Sequence, residues 1–315
     1  MPDFLLWLNV IWILAVIVFI HEMGHYLVAR WNGVAIHTFS IGFGKELFGW
    51  NDRHGTRWRI AAVPLGGYVR FVGDMTAAST PDNEAIANAS PELAPQLFAN
   101  KTVWQRIAVV AAGPAANVIL TFLILYALLL GYGRYTIPPV VGEVIAGSVA
   151  EAAGLEAGDV ITSVDGYAVR GFEDFQRLVA TSPERPVTVD LERGGGSRTI
   201  VLTPESVEIE DRFGKTQKIG RIGVSRDVSE SDVTLYRPGP VEAVGMTFEE
   251  IRFIIQRTAA YLGDFFVGRG DVEQLGGPIK VAQVSGEVAT LGFVALINLT
   301  ALLSLNIGIF NLLPV

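Results

Sequence analysis

Residues 21–25 read His21-Glu22-Met23-Gly24-His25. On a helix, residues four apart share a face, so both imidazoles can reach one zinc ion while Glu22, one step round, takes a proton from a water held there. That is the chemistry of peptide hydrolysis: the ion activates water and polarises the scissile carbonyl, and the carboxylate serves as base and then passes the proton to the leaving amine. On a soluble surface helix such a short pattern arises by chance. Here the residues from Phe4 to Ile20 are apolar except for Asn9, and Tyr26 to Ala29 continue the apolar character. An ionised carboxylate in that setting costs roughly a few kcal/mol without a partner, and a metal supplies one.

The element that carries the motif must therefore be a membrane helix. The 315-residue chain is half apolar and only 18% charged, and three blocks stand out, Phe4 to Ala29, Ile107 to Gly131 and Leu291 to Val315. Each reaches the roughly 20 residues needed to cross a hydrocarbon core about 30 Å thick. The first opens Met-Pro-Asp with no basic residue and no small-x-small cleavage site, so it reads as a retained helix and not a signal peptide. With no cysteine in the chain, disulfides and thiolate metal sites are excluded.

The loop between the first two blocks holds Arg30, Lys45, Arg53, Arg57, Arg59, Arg70, Lys101 and Arg106. Lys and Arg at span ends favour the cytoplasm, which places the segment after Gly131 outside. The net charge of −8 comes from that external segment, and an acidic soluble part argues against nucleic acid as a partner. Within the loop, Ile41 to Gly44 and Pro64 to Phe71 mix β-formers with glycine and suit hairpin strands. Thr76 to Pro95 reads as a flexible linker. His37 and His54 lie in the same loop without the spacing from His25 that known third ligands use; these two or Asp74 are the loop residues left to recruit if no aspartate completes the site.

Residues 138–204 have the pattern of a small soluble domain. Strands are expected at Val140 to Ile145, Asp159 to Val164, Val187 to Leu191 and Thr199 to Leu202, with helices at Ser148 to Ala153 and Phe172 to Ala180. The run from Gly147 to Ile161 resembles a PDZ domain of the bacterial protease type. Farther on, Phe248, Ile251, Ile255, Leu262 and Phe266 recur at helical spacing among charged residues, the pattern of an amphipathic helix at the membrane surface or in the external domain.

Taken together, the zinc motif, the glycine-rich loop, Gly113-Pro114-Ala115-Ala116-Asn117, the PDZ-like stretch, Gly276-Gly277-Pro278-Ile279 and Asn311-Leu312-Leu313-Pro314 occur in one order along nearly the whole chain. In this the chain resembles the site-2 protease family of intramembrane zinc metalloproteases, most closely its bacterial regulator-of-sigma-E type. The resemblance implies an α-helical polytopic membrane protein with a membrane-associated β loop and an external α+β PDZ domain. The segments are a first span at 1–30, the cytoplasmic loop at 31–104, a second span at 105–131, the PDZ domain at 138–204, an external extension at 205–290 and a third span at 291–315. It implies one Zn2+ held by His21 and His25, with Glu22 catalytic. The β loop beside the active site could present an edge to an extended substrate strand.

Asn311 and Pro314 then belong to the active-site motif of the third helix, with Asn311 touching the substrate backbone. Gly113 and Ala116 are small enough for close helix approach, and Asn117 can hydrogen-bond across that contact, either as packing or in positioning substrate. Asn306 reads as a packing contact. A catalytic zinc takes three protein ligands, yet no Asp, Glu or His follows Glu287; in the family an aspartate completes the site just after this motif, so the third ligand is expected beyond Val315, with the third helix cut short. Implied substrates are single-pass proteins of the bilayer, of the anti-sigma-factor type or remnant signal peptides, and the implied location is the bacterial inner membrane with the PDZ domain on the periplasmic side. The rival reading is a non-catalytic membrane scaffold that binds C-termini through the PDZ domain, and it leaves Glu22 between two histidines without a reason.

Overall fold

The computed structural model describes residues 3–76, 80–210, 216–226, 232–266 and 278–312. The chain forms two compact units, one of Met1–Leu128 with Val244–Val315, the other of Leu129–Ala243.

The first unit is built on helices α1 (Asp3–Trp31), α3 (Val103–Gly131) and α8 (Phe293–Phe310). Each contains a stretch long and apolar enough to cross a membrane, Ile11–Trp31 in α1 and the whole of α3 and α8, so the chain is an integral membrane protein. α1 ends where Gly33 takes a left-handed φ of 65°. The Val34 amide then reaches back to the Ala29 carbonyl at 2.9 Å, a closure that a side chain at Gly33 would strain.

Strands β1 (Ile36–Asn51) and β2 (Arg57–Phe71) follow. They pair more than once. Phe39 faces both Val69 and Trp58, because the opening of β1 lies between the two halves of β2. Phe39 is fully buried at the centre of this sheet, stacked on Trp58 with centroids 4.3 Å apart and edge-on to Phe19 and Tyr26 of α1.

The stretch expected as a flexible linker holds the short helix α2 (Asn83–Ala87), capped by the Asp82 carboxylate on the Ala85 amide; a short turn of 3-10 helix at Ala94–Gln96 crosses its end, and another follows at Phe98–Asn100. Its Ala and Asn residues hid a capping signal, Asp82 before Asn83-Glu84. Helix α6 (Pro240–Phe266) enters this unit at Val244, and α7 (Pro278–Thr290) packs beside α1 and α8. Residues 276 and 277 of the Gly-Gly-Pro-Ile motif lie outside the described residues.

In the second unit β3 (Arg134–Thr136), β4 (Glu143–Val144), α4 (Val149–Ala152), β5 (Val160–Val164), β6 (Tyr167–Ala168), α5 (Phe172–Ala180), β7 (Val187–Arg193) and β8 (Gly196–Leu202) follow in order. The last four strands form one sheet in the order β6-β5-β7-β8. Ile161, Phe175, Val189 and Leu191 fill the space between sheet and α5. β4 is shorter than the expected Val140 to Ile145: Gly142 interrupts the run, and Val140 makes a separate bridge to Val160. The unit also runs past residue 204. Strands β9 (Glu205–Glu210) and β10 (Thr216–Arg221) form a hairpin, β11 (Val224–Ser225) pairs with β4, and β12 (Thr234–Tyr236) pairs with β3.

Candidate metal centre and its neighbours

His21, Glu22 and His25 occupy adjoining positions on α1, and the two imidazole Nε2 atoms converge to 3.2 Å. The His25 Nδ1 lies 2.7 Å from the Val109 carbonyl on α3. A carbonyl only accepts, so Nδ1 carries the proton and Nε2 of the neutral ring presents its lone pair. On the same helix Pro114 has no amide to give to Val110, which loosens the backbone beside this contact.

Asn117, completely buried on α3, reaches the other ring, its Nδ2 lying 3.2 Å from His21 Nδ1. Its Oδ1 has no partner. Turning the amide over brings Oδ1 to the same nitrogen, where it accepts the Nδ1 proton and leaves both Nε2 lone pairs free. The converging nitrogens thus fit a cation between the rings.

Small residues make the convergence possible. A Cβ on Gly113 would strike Nε2 of His25 and lie 2.7 Å from Nε2 of His21. One on Gly24 would run into the Ala112 carbonyl and the Ala116 side chain, and one on Gly308 of α8 would come within 3.2 Å of the Pro114 carbonyl. The backbones of α1, α3 and α8 therefore pass close to one another around the rings. From α8, Asn311 brings Nδ2 to 3.4 Å of His21 Nε2. Of the residues singled out from sequence, His21, Glu22, His25, Asn117 and Asn311 are gathered here, and Pro314 lies outside the described residues.

Other candidates are held elsewhere. His37 lies under Arg70 and beside Thr38, where burial and the guanidinium charge lower its pKa. The His54 amide donates to Asp52 in the turn after β1, and Asp74 accepts from the Phe71 amide at 3.3 Å. Among the described residues no three His, Asp or Glu side chains are gathered to hold a metal. His21 and His25 fit as two ligands of a three-ligand site.

Sequence reasoning missed the groups that face Glu22. The backbone of β2 passes against its stem, where a Cβ on Gly67 would stand 3.1 Å from Glu22 Cγ and 2.8 Å from Val18 Cγ1. The glycine pair Gly66-Gly67 was the signal for this approach. Also missed was Asp52, whose Oδ1 accepts from the His54 and Thr56 amides at 2.8 and 2.9 Å and whose Oδ2 accepts from Tyr26 and Trp58 at 2.8 and 3.1 Å. Burial alone would raise the pKa of Asp52, but these four hydrogen bonds outweigh it and hold it at about 2.

The model of peptidase family M50 matches residues 9–315. The chain belongs to this family, the site-2 proteases. A candidate zinc metalloprotease of Rhizobium meliloti is 45% identical over 305 residues, covering 97% of this chain and 82% of that protein. One from Mesorhizobium japonicum is 46% identical over 306 residues, with 97% and 83% covered. Metalloprotease MmpA of Caulobacter vibrioides is 36% identical over 329 residues, with 98% and 82% covered. Among solved structures, the PDZ domain of an SdrC-like protein from Listeria monocytogenes aligns with 27% of this chain and 83% of that one, at 23% identity and a TM-score of 0.21, a likeness too slight to carry an argument. The protein is a zinc metalloprotease and its cofactor is Zn2+.

Proposed function

We propose that the chain is an intramembrane endopeptidase that cuts transmembrane segments of single-pass proteins in regulated intramembrane proteolysis. The observation that carries this is the convergence of His21 and His25 Nε2, with Glu22 beside them, inside the apolar stretch Ile11–Trp31. A soluble peptide has no reason to meet a base placed there. A substrate helix must unwind before its backbone is reachable, since intrahelical hydrogen bonds otherwise hide each carbonyl.

His21 and His25 would hold Zn2+ through their Nε2 atoms, and the ion would supply Lewis-acid activation of water and of the scissile carbonyl. The Glu22 carboxylate takes the proton the attacking water gives up and returns it to the departing amine. Val109 and Asn117 fix the two rings through their Nδ1 atoms, the orientation that such outer partners impose on metal ligands. Asn311, adjacent to His21, holds the substrate backbone, with Pro314 after it in the same motif.

Family resemblance supports substrates already shortened by another protease, anti-sigma factors or signal peptide remnants. It also supports placing the chain in the bacterial inner membrane and reading residues 138–204 as a PDZ domain, with the third zinc ligand an Asp after Val315. The cationic span ends, Arg30 and Arg106, support a cytoplasmic loop and an external second unit; reporters fused near Thr80 and Gly195 should read cytoplasm and exterior. The central test is Glu22→Gln in the full-length enzyme. Cleavage of a membrane-embedded substrate should vanish while zinc stays bound, and His21→Ala or His25→Ala should lose the metal too. Undiminished cleavage by Glu22→Gln would sink the proteolytic reading.

A further inference from the structure

The side of α1 that carries Glu22 is covered by β2, and something must set how closely. The aromatic packing of Phe19, Tyr26, Phe39 and Trp58 is apolar and tolerates small slides. Hydrogen bonds do not. Asp52 divides its two oxygens between two tasks: Oδ1 closes its own turn on the His54 and Thr56 amides, and Oδ2 takes the Tyr26 hydroxyl of α1 and the Trp58 indole N–H of β2. Tyr26 is the residue after His25, so this tie reaches α1 at the metal motif itself.

The sheet carries the tie onward. Phe39 pairs with Trp58 on one side and Val69 on the other, and two residues before Val69 the backbone at Gly67 lies against Val18 and the Glu22 stem. Fixing Trp58 against Tyr26 therefore fixes the stretch from Gly67 to Val69 against Glu22, through one intervening strand.

The geometry points to Tyr26 and Asp52 as positioning residues for proteolysis: their hydrogen bond sets how β2 lies against the Glu22 face of α1. The inference rests on the reading of Glu22 as the base. Neither residue touches substrate or metal, and they act through the placement of Val69 and Gly67.

The test compares the full-length enzyme with Tyr26→Phe, Asp52→Asn and the double variant. Phenylalanine keeps the ring and removes only the hydroxyl. Asparagine keeps an oxygen for the turn amides but turns an NH2 toward Trp58, so the turn survives while the tie breaks. Each single variant should lower kcat about tenfold, the scale of a small misplacement at a reacting centre, with KM and zinc content unchanged. The double variant should be no worse than either single one. Hydrogen exchange at residues 66–70 should quicken in all three. A merely stabilising role would lower the melting temperature and leave kcat per folded, zinc-loaded molecule at the wild-type value, and that result, or multiplying losses in the double variant, overturns the proposal. Should the wild-type enzyme cut no membrane substrate, the protease reading fails by itself; the exchange measurement still reads the tie, and unchanged exchange refutes it.

Discussion

Asp159 in the second unit and Asn117 in the first are both buried polar side chains, but only one is fully used. Asp159 accepts from Arg193 Nε and Nη2 at 2.6 and 2.7 Å and from the Glu156 amide at 2.9 Å. Asn117 gives one end of its amide to His21 Nδ1, and the lone pair left over is on the ring's Nε2, which faces a second Nε2. A buried charge with all its partners fixes a fold, as the bidentate guanidinium does here. A buried group with capacity left over has been kept for something that binds. The second unit uses its polar groups to stay folded; the first holds some in reserve at the metal centre.

Gly113→Ala attacks that reserve most directly. In a helix interior alanine is favoured over glycine by about 1 kcal/mol, so the exchange should not harm α3. Its Cβ, however, would enter the space where the two Nε2 atoms converge. We expect zinc to be lost and cleavage to fall by about a hundredfold or more, the usual cost of displacing groups at a reacting centre, with helical circular dichroism unchanged. Retained zinc by elemental analysis would show that the rings can converge elsewhere.

Asn117→Ala should act more mildly, because it removes the partner of His21 Nδ1 and not a ligand. Loss of such a partner typically lowers metal affinity by about 10–100-fold. Competition with a chelator measures it. An unchanged affinity would make Asn117 a packing residue, joined to α8 by the hydroxyl that Ser304 donates to its backbone carbonyl at 3.1 Å.

The parts legible from sequence are those whose geometry is local. Five consecutive residues fix the relation of His21, Glu22 and His25, since any helix places them so. Phe172 to Ala180 was readable as α5 because its apolar residues sit at helical spacing. Val109 was invisible, since a backbone carbonyl has no side chain to mark it and only the close passage of α1 and α3 makes it a partner. Asp52 closes the turn after β1 through Oδ1, and nothing in the order of residues says that Oδ2 reaches Tyr26. β11 and β12 are two and three residues long, too short to show a period, and they extend the second unit past 204 by pairing with strands from its beginning.

Acid should weaken the second unit through Asp159. Burial alone would raise the pKa of Asp159, but the hydrogen bonds from Arg193 and the Glu156 amide, with the charges of Arg193 and Arg198, outweigh it and hold the carboxyl below the usual range. A depressed folded-state pKa gives stability that is present above the ordinary carboxylate value of about 3.9 and is lost as pH falls through the lower one. Asp159→Asn should therefore weaken the second unit at neutral pH and flatten its acid unfolding limb, leaving zinc content as in the wild type. Limited proteolysis across a pH series reads this. An acid limb as steep as in the wild type would mean that another carboxylate governs it.

The smallest effect is expected from Asn306, and it sharpens the comparison within a single helix. Asn306 and Asn311 lie five residues apart around the end of α8, both amides in an apolar sequence where an unused polar group is expensive. Asn306 is used locally: its Oδ1 accepts from Thr258 of α6 at 2.9 Å and its Nδ2 donates to the Leu302 carbonyl at 3.1 Å. Asn311 instead turns its Nδ2 to His21. Asn306→Ala removes one side-chain bond between helices, a contact that averages about 0.6 kcal/mol in membrane proteins, and should leave kcat, KM and zinc unchanged. Asn311→Ala should leave the melting temperature alone and raise KM or lower kcat. If Asn306→Ala proved the more damaging to catalysis, with folding intact, α6 would be acting on the metal centre through Thr258, and the division between polar groups spent on packing and those kept for chemistry would have to be redrawn inside α8.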